Sequence, residues 1–105
     1  MRSDYLNLYE IGYRIKPSER RKGYTTEAVR LLVDHLFRTK AIERIESVTD
    51  TENLPSQRVL AKNGFKREGE LRKRFFLEGK YRDEYIYSLL REEWQKGRNI
   101  SAEAQ

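Results

Sequence analysis

The segment Arg20-Arg21-Lys22-Gly23-Tyr24-Thr25 sets three cations and a glycine directly ahead of a stretch with helical patterning. The first-turn amides of a helix have no partner within it. With the helix dipole and flanking cations they form a seat for phosphate, above all for a pyrophosphate. A solvated basic turn is the equal alternative on this context alone. Lys22 precedes Gly23, so the Walker order is absent, as is any GxGxxG turn. A second segment, Asn53-Leu54-Pro55-Ser56, stands where a strand gives way to a helix. The Asn53 carboxamide can cap that helix by accepting from a backbone N–H, or bond an extended ligand between two strands; capping is the simpler reading. The Ser56 hydroxyl can cap, sit in water, or give a proton to a leaving group, and water is its simplest fate.

Composition removes other chemistry. With no Cys in 105 residues, thiol catalysis, disulfides, Fe–S clusters and thiolate zinc sites are excluded, and a single His35 excludes a multi-histidine metal site. His35 itself, on a helix without a second ligand, reads as a surface or boundary residue. Twenty-two Lys and Arg against 17 Asp and Glu give a net charge of +5, which permits an anionic partner or cofactor without marking a nucleic-acid binder. Seven Tyr, four Phe and one Trp argue against disorder even though 37% of residues are charged. One Met, no Cys and abundant Lys, Arg and Glu also suit a heat-adapted protein. No apolar run approaches the roughly 20 residues that span a bilayer, and Met1 to Glu10 lacks a signal-peptide pattern, so the expected address is the cytoplasm.

These segments need elements to hold them. The length suits one domain with one modest core, over 1–96, with 97–105 as a flexible tail. Tyr9 to Ile15 is aromatic and β-branched and ends at Lys16-Pro17-Ser18-Glu19, which predicts a strand with Gly12 as a bulge. Val29, Leu32, Val33, Leu36 and Phe37 recur at helical spacing, so Thr26 to Arg38 is a helix with one face on a sheet. Arg44 to Val48 alternates as a strand. A short helix follows, opened by Asn53 with Pro55 just inside and closed by Asn63-Gly64. Phe65 to Leu77 and Lys80 to Leu90, joined by Glu78-Gly79, form a hairpin. The fold class is therefore α/β with a mixed sheet, in the order β-α-β-α-β-β: two parallel strands joined by a crossover helix, then an antiparallel pair. Tyr81, Tyr85 and Tyr87 share a strand face as packing residues, and Asp83 and Glu84 pair with Arg82 and cations of the facing strand.

Three motifs in order carry a resemblance to a known family. Arg20-x-x-Gly23-x-Thr25 resembles the acyl-CoA loop of the GCN5-related N-acetyltransferases (GNAT). Tyr24-Thr-Thr-Glu-Ala-Val29, Asn53-x-x-Ser56 and Asn63-Gly-Phe-Lys-Arg-Glu-Gly69 are similar to its ribosomal-protein-acetylating branch, and the match continues to Asp83 and Tyr87-Ser-Leu-Leu90. The likeness runs from about Glu10 to Trp94 and covers the C-terminal half of that fold. It implies direct transfer of acetyl from acetyl-CoA to an amine acceptor, with no metal and no covalent enzyme intermediate. Ile15 and its neighbours would bond the pantetheine arm, the loop Arg20, Arg21, Lys22, Gly23, Tyr24 and Thr25 would hold the pyrophosphate, Asn53 would bond pantetheine, and Ser56 would protonate the departing thiolate. The first strand would splay from the second so that the thioester lies in the gap, its oxygen held by strand amides.

Two departures stand out within the motifs. Thr25 replaces the usual small last residue of the loop, and the position where some members of the branch carry a glutamate base falls near Phe75, leaving Glu10, Glu70 or water. The three strands and two helices that precede this half in the family, and wall the amine site, are missing here. An exposed first-strand edge then predicts a homodimer or the cofactor half of a longer enzyme. The alternative function is a catalytically silent module that binds CoA or a protein. Nucleic-acid binding through Arg14, Lys16, Arg20, Arg21, Lys22 and Arg72-Lys73-Arg74 is the weakest reading, because the aromatics alternate as core residues do.

Overall fold

The computed structural model describes residues 8–11 and 24–98. Seven elements follow one another: β1 (Leu8–Ile11), α1 (Tyr24–Thr39), β2 (Arg44–Asp50), α2 (Leu54–Lys62), β3 (Lys66–Leu77), β4 (Lys80–Leu90) and α3 (Arg91–Gly97). The strands form one mixed sheet in the order β1-β2-β4-β3. β1 and β2 are parallel, with Ile11 opposite Ser47, whereas β4 is antiparallel to both β2 and β3. This is the expected α/β architecture with one added helix. Of the first predicted strand, only Tyr9 to Ile11 lies within the described residues; residues 12–15, with Gly12, lie outside them.

Strand alternation decides which side chains meet the helices. Ile45, Ser47 and Thr49 on β2 and Tyr87 and Leu89 on β4 turn to the same side and are buried there with Val29, Val33, Leu36 and Phe37 of α1 and Val59 and Leu60 of α2. Leu32, expected in this stripe, is 39% exposed. At about 100° per residue it lies roughly 90° from the centre of the stripe made by Val29, Val33, Leu36 and Phe37, beyond the reach of the sheet. Asn63 ties the two helices together, donating from Nδ2 to Thr26 O at 3.2 Å and to Val59 O at 3.0 Å. Gly64 turns the chain back toward β3 at φ 87°, a left-handed conformation that suits glycine after a helix end.

The hairpin turn is as predicted, with Glu78 and Gly79 both at positive φ, 52° and 81°. Two expectations along it are corrected. Tyr87 is buried and Tyr85 packs on the core, but Tyr81 is 62% exposed, because the hairpin outruns the helices; its ring instead meets Phe76 edge-to-face at 5.1 Å. Asp83 has no ion-pair partner among the described residues. Its Oδ1 accepts from the backbone N–H of Lys73 at 2.7 Å and so stabilises an irregular stretch of β3 in which Lys73 has φ 50°. Arg82 reaches across to Asp50 and Glu52 at the end of β2, 3.1 and 3.4 Å away.

The helix α3 was not expected, since seven residues are too few for periodicity to register. Its anchor is Trp94, buried against Phe37 with ring centroids 5.1 Å apart, its Nε1 donating to Asp34 Oδ1 at 2.8 Å. Arg98 Nε donates to the same oxygen at 2.8 Å. Among the described residues no helix is long and apolar enough to cross a membrane.

Candidate functional site

Three features stand at the head of α1, at the exit of β2 into α2, and on β2 itself. The first is the head of α1. The helix begins at Tyr24, directly after Gly23, so the amides of its first turn open at the end of the Arg20–Thr25 segment. Thr25 is half-buried there. Arg20, Arg21, Lys22 and Gly23, together with Ile15, lie outside the described residues.

The second feature is the exit of β2. Asp50 organises it: Oδ1 accepts from Glu52 N at 2.8 Å, the carbonyl accepts from Asn53 N at 2.9 Å, and Oδ2 takes Arg82. Gln57 Nε2 closes the turn on Thr51 O at 2.9 Å. Asn53 then caps α2, its Oδ1 accepting from Ser56 N at 3.1 Å, with Pro55 in the first turn where no amide is required. The cap engages the amide oxygen, so it is the NH2 end of Asn53 that can serve a carbonyl of an extended ligand. Ser56 is 3% exposed, which replaces the expectation of a water-bathed hydroxyl with a desolvated one. Asn53 and Ser56 are thus brought together as one cap.

The third feature is a buried hydroxyl on β2. Ser47 stands opposite Ile11, the last described residue of β1, and β2 runs on through Val48, Thr49 and Asp50 toward the head of α2. Ser47 is 1% exposed and its Oγ has no hydrogen-bond partner, although a buried hydroxyl without one costs about 1–3 kcal/mol. The other orphaned side-chain atoms among the described residues, Arg82 Nε and Arg98 Nη2, belong to guanidiniums already bound to carboxylates. A buried polar atom beside the last described residue of β1 fits a polar, extended ligand such as a pantetheine arm. Sequence reasoning missed Ser47, yet the signal was present: Ile45, Ser47 and Thr49 occupy the helix-facing positions of β2, and two of the three are hydroxyl-bearing where a plain core strand would be apolar.

The opposite face of the sheet is polar and ionic. Arg44 bridges Glu46 at 2.8 Å and both carboxylate oxygens of Glu68 at 2.7 and 3.1 Å, and Ser88 Oγ donates to Glu68 at 2.7 Å. Hydrogen bonds from Arg44, then from Ser88, pull the Glu68 carboxyl down to about 2. A depressed carboxyl stabilises the fold above its unfolded value of 4.5 and loses that contribution as pH falls through about 2. Stability is expected to decline across this window, and Glu68→Gln to flatten the decline by no more than about 1 kcal/mol because the pair is partly solvated. Urea midpoints measured at intervals from pH 5 to 2 check it.

Comparison with known proteins follows this geometry. Residues 2–66 match the family model described as "Acetyltransferase (GNAT) domain". The chain belongs to the GNAT acetyltransferases. Among curated relatives, this GNAT chain is 38% identical over 88 residues to the N-acetyltransferase YnaD of Bacillus subtilis, covering 84% of itself and 52% of the relative. Its fold superimposes on RimJ of Mycobacterium smegmatis, solved in complex with CoA-disulfide, with a TM-score of 0.80 and 34% identity over 88% of this chain and 44% of that one. The ribosomal-protein-S5-alanine acetyltransferase of Vibrio fischeri gives a TM-score of 0.81 and 26% identity over 90% of this chain and 51% of that one. The GNAT chain spans about half the length of the relatives it matches. The resemblance to the ribosomal-protein-acetylating branch, over half of its fold, is thereby established.

Proposed function

We propose that this GNAT chain binds acetyl-CoA and passes its acetyl group directly to a primary amine, a protein N-terminus or a small-molecule amine. The observation that carries the reading is the buried Ser47 hydroxyl, without a hydrogen-bond partner, on the strand that leads to the Asn53 cap of α2. Amides and cations of the segment from Arg20, Arg21, Lys22 and Gly23 through Tyr24 and Thr25 hold the pyrophosphate. Ile15 and its neighbours, with the Asn53 NH2, hold the pantetheine arm along the strand edge. Bound there, the co-substrate supplies an activated acyl carbon. The desolvated Ser56 hydroxyl gives a proton to the departing sulfur; its burial keeps bulk water from competing for that proton. No metal takes part. A second copy pairs along β1, the outer strand of the described sheet, and the reaction is placed in the cytoplasm.

The test is thermal unfolding with and without CoA. At about one hundred times its dissociation constant a ligand of the native state adds about 2.7 kcal/mol, or roughly 10 °C or more for a domain of this size. An unchanged melting temperature removes the CoA site. A rise in melting temperature without acetylation of any amine leaves the silent CoA-binding module in its place. Light scattering that reads a folded monomer at high concentration removes the pairing along β1.

A further inference from the structure

We propose that Asn63 is a site of spontaneous chemical modification that the fold keeps closed: its side chain loses ammonia when the end of α2 opens, and the product no longer ties α1 to α2. The sequence singles the residue out. Of Asn7, Asn53, Asn63 and Asn99, only Asn63 is followed by glycine. The group that attacks an asparagine carboxamide is the backbone nitrogen of the next residue, and glycine has no Cβ to obstruct the approach.

In the fold each participant is held. Asn63 is 6% exposed, and its Nδ2 donates to Thr26 O at 3.2 Å and to Val59 O at 3.0 Å, which fixes the carboxamide between the two helices. The attacking atom, Gly64 N, is engaged as well, donating to Ala61 O at 3.0 Å. Phe65 N donates to Leu60 O at 3.0 Å and clamps the following peptide. Attack requires Gly64 to lose its amide proton and to swing its nitrogen onto Asn63 Cγ, and these bonds oppose both. Conversion therefore draws on the fraction of molecules in which the end of α2 is open, a fraction set by local stability.

The step balances. Gly64 N gives its proton to solvent hydroxide and bonds Asn63 Cγ; the Cγ–Nδ2 bond breaks, and the nitrogen takes a proton from water and leaves as ammonia. One water then opens the five-membered imide. Opening at the side-chain carbonyl gives aspartate. Opening at the main-chain carbonyl gives isoaspartate, in which the chain runs on through the former side chain and gains a methylene ahead of Gly64. The sum is amide plus water to carboxylic acid plus ammonia, with nothing oxidised or reduced.

What the product lacks decides the consequence. A carboxylate has no N–H for Thr26 O or Val59 O, and it sets a negative oxygen against carbonyls now 3.2 and 3.0 Å from Nδ2. Thr26 lies in the first turn of α1, so the bond lost is one that joins the head of α1 to the end of α2. An opening that closes without trace in the parent becomes irreversible once this chemistry has occurred.

Peptide mass analysis of the parent chain, incubated at mildly alkaline pH in buffer and in denaturing urea, follows conversion at Asn63. It is expected to run on the order of 10-fold or more faster in urea, where the protecting bonds are gone. Equal rates in the two conditions overturn the shielding, and no conversion in urea overturns the site. Asn63→Asp, which supplies the aspartate product directly, is expected to melt about 5 °C or more below the parent. A melting temperature within a degree of the parent overturns the loss of the tie. The mass measurement uses the parent alone and decides the site even where the variant fails to fold.

Discussion

Gly23→Val is expected to abolish protection by CoA while leaving the fold intact. The substitution sets a branched side chain directly before the first residue of α1, where the diphosphate must come within hydrogen-bond distance of backbone N–H groups. Losing two charge-assisted hydrogen bonds, at about 1.5–3 kcal/mol each, weakens binding on the order of 100-fold or more. Calorimetric titration with CoA measures the loss, and circular dichroism shows whether the helices persist. Unchanged affinity would remove the loop from the site.

Leu60→Ala is expected to lower stability by about 2–5 kcal/mol, the usual cost of emptying a large buried aliphatic site. Leu60 has no exposed surface and sits where α2 meets the sheet and α1. Its carbonyl also accepts from Phe65 N at 3.0 Å as the chain leaves the helix. Against the roughly 5–15 kcal/mol of a domain this size, the loss corresponds to a melting temperature lower by about 10 °C or more. A thermal melt in the absence of ligand checks it, and a shift of only a degree or two would mean that α2 contributes little to the common core. Because α2 carries the Asn53 cap and Ser56, the variant is also expected to bind CoA more weakly, with the binding defect following the unfolded fraction.

Local chemistry made much of the fold legible. Asn53, Pro55 and Asn63-Gly64 bound a helix through the groups they donate, accept or lack, and the structure places α2 between them. Glu78-Gly79 suits a turn with two positive φ values, and β3 and β4 meet there. The stripe of Val29, Val33, Leu36 and Phe37 reports its own burial because its period is that of a helix. α3 escaped notice because it has too few residues to show a period; it is held by Trp94 and Arg98 on Asp34, partners 60 and 64 positions away.

Motif order and spacing, properties of the chain read in line, were sufficient to indicate the GNAT family and to nominate the Arg20–Thr25 loop, Asn53 and Ser56. Tertiary structure alone decided that Ser47 lies buried without a partner on the helix-facing side of β2, that Asn53 spends its oxygen on a cap, and that Glu84 is desolvated with its ion-pair partner 3.7 Å away. The reason is physical. Capping and turn formation are settled within a few residues, whereas desolvation and the balance of charges on a carboxylate depend on strands β1, β2 and β3, which the chain brings beside Glu84 only on folding.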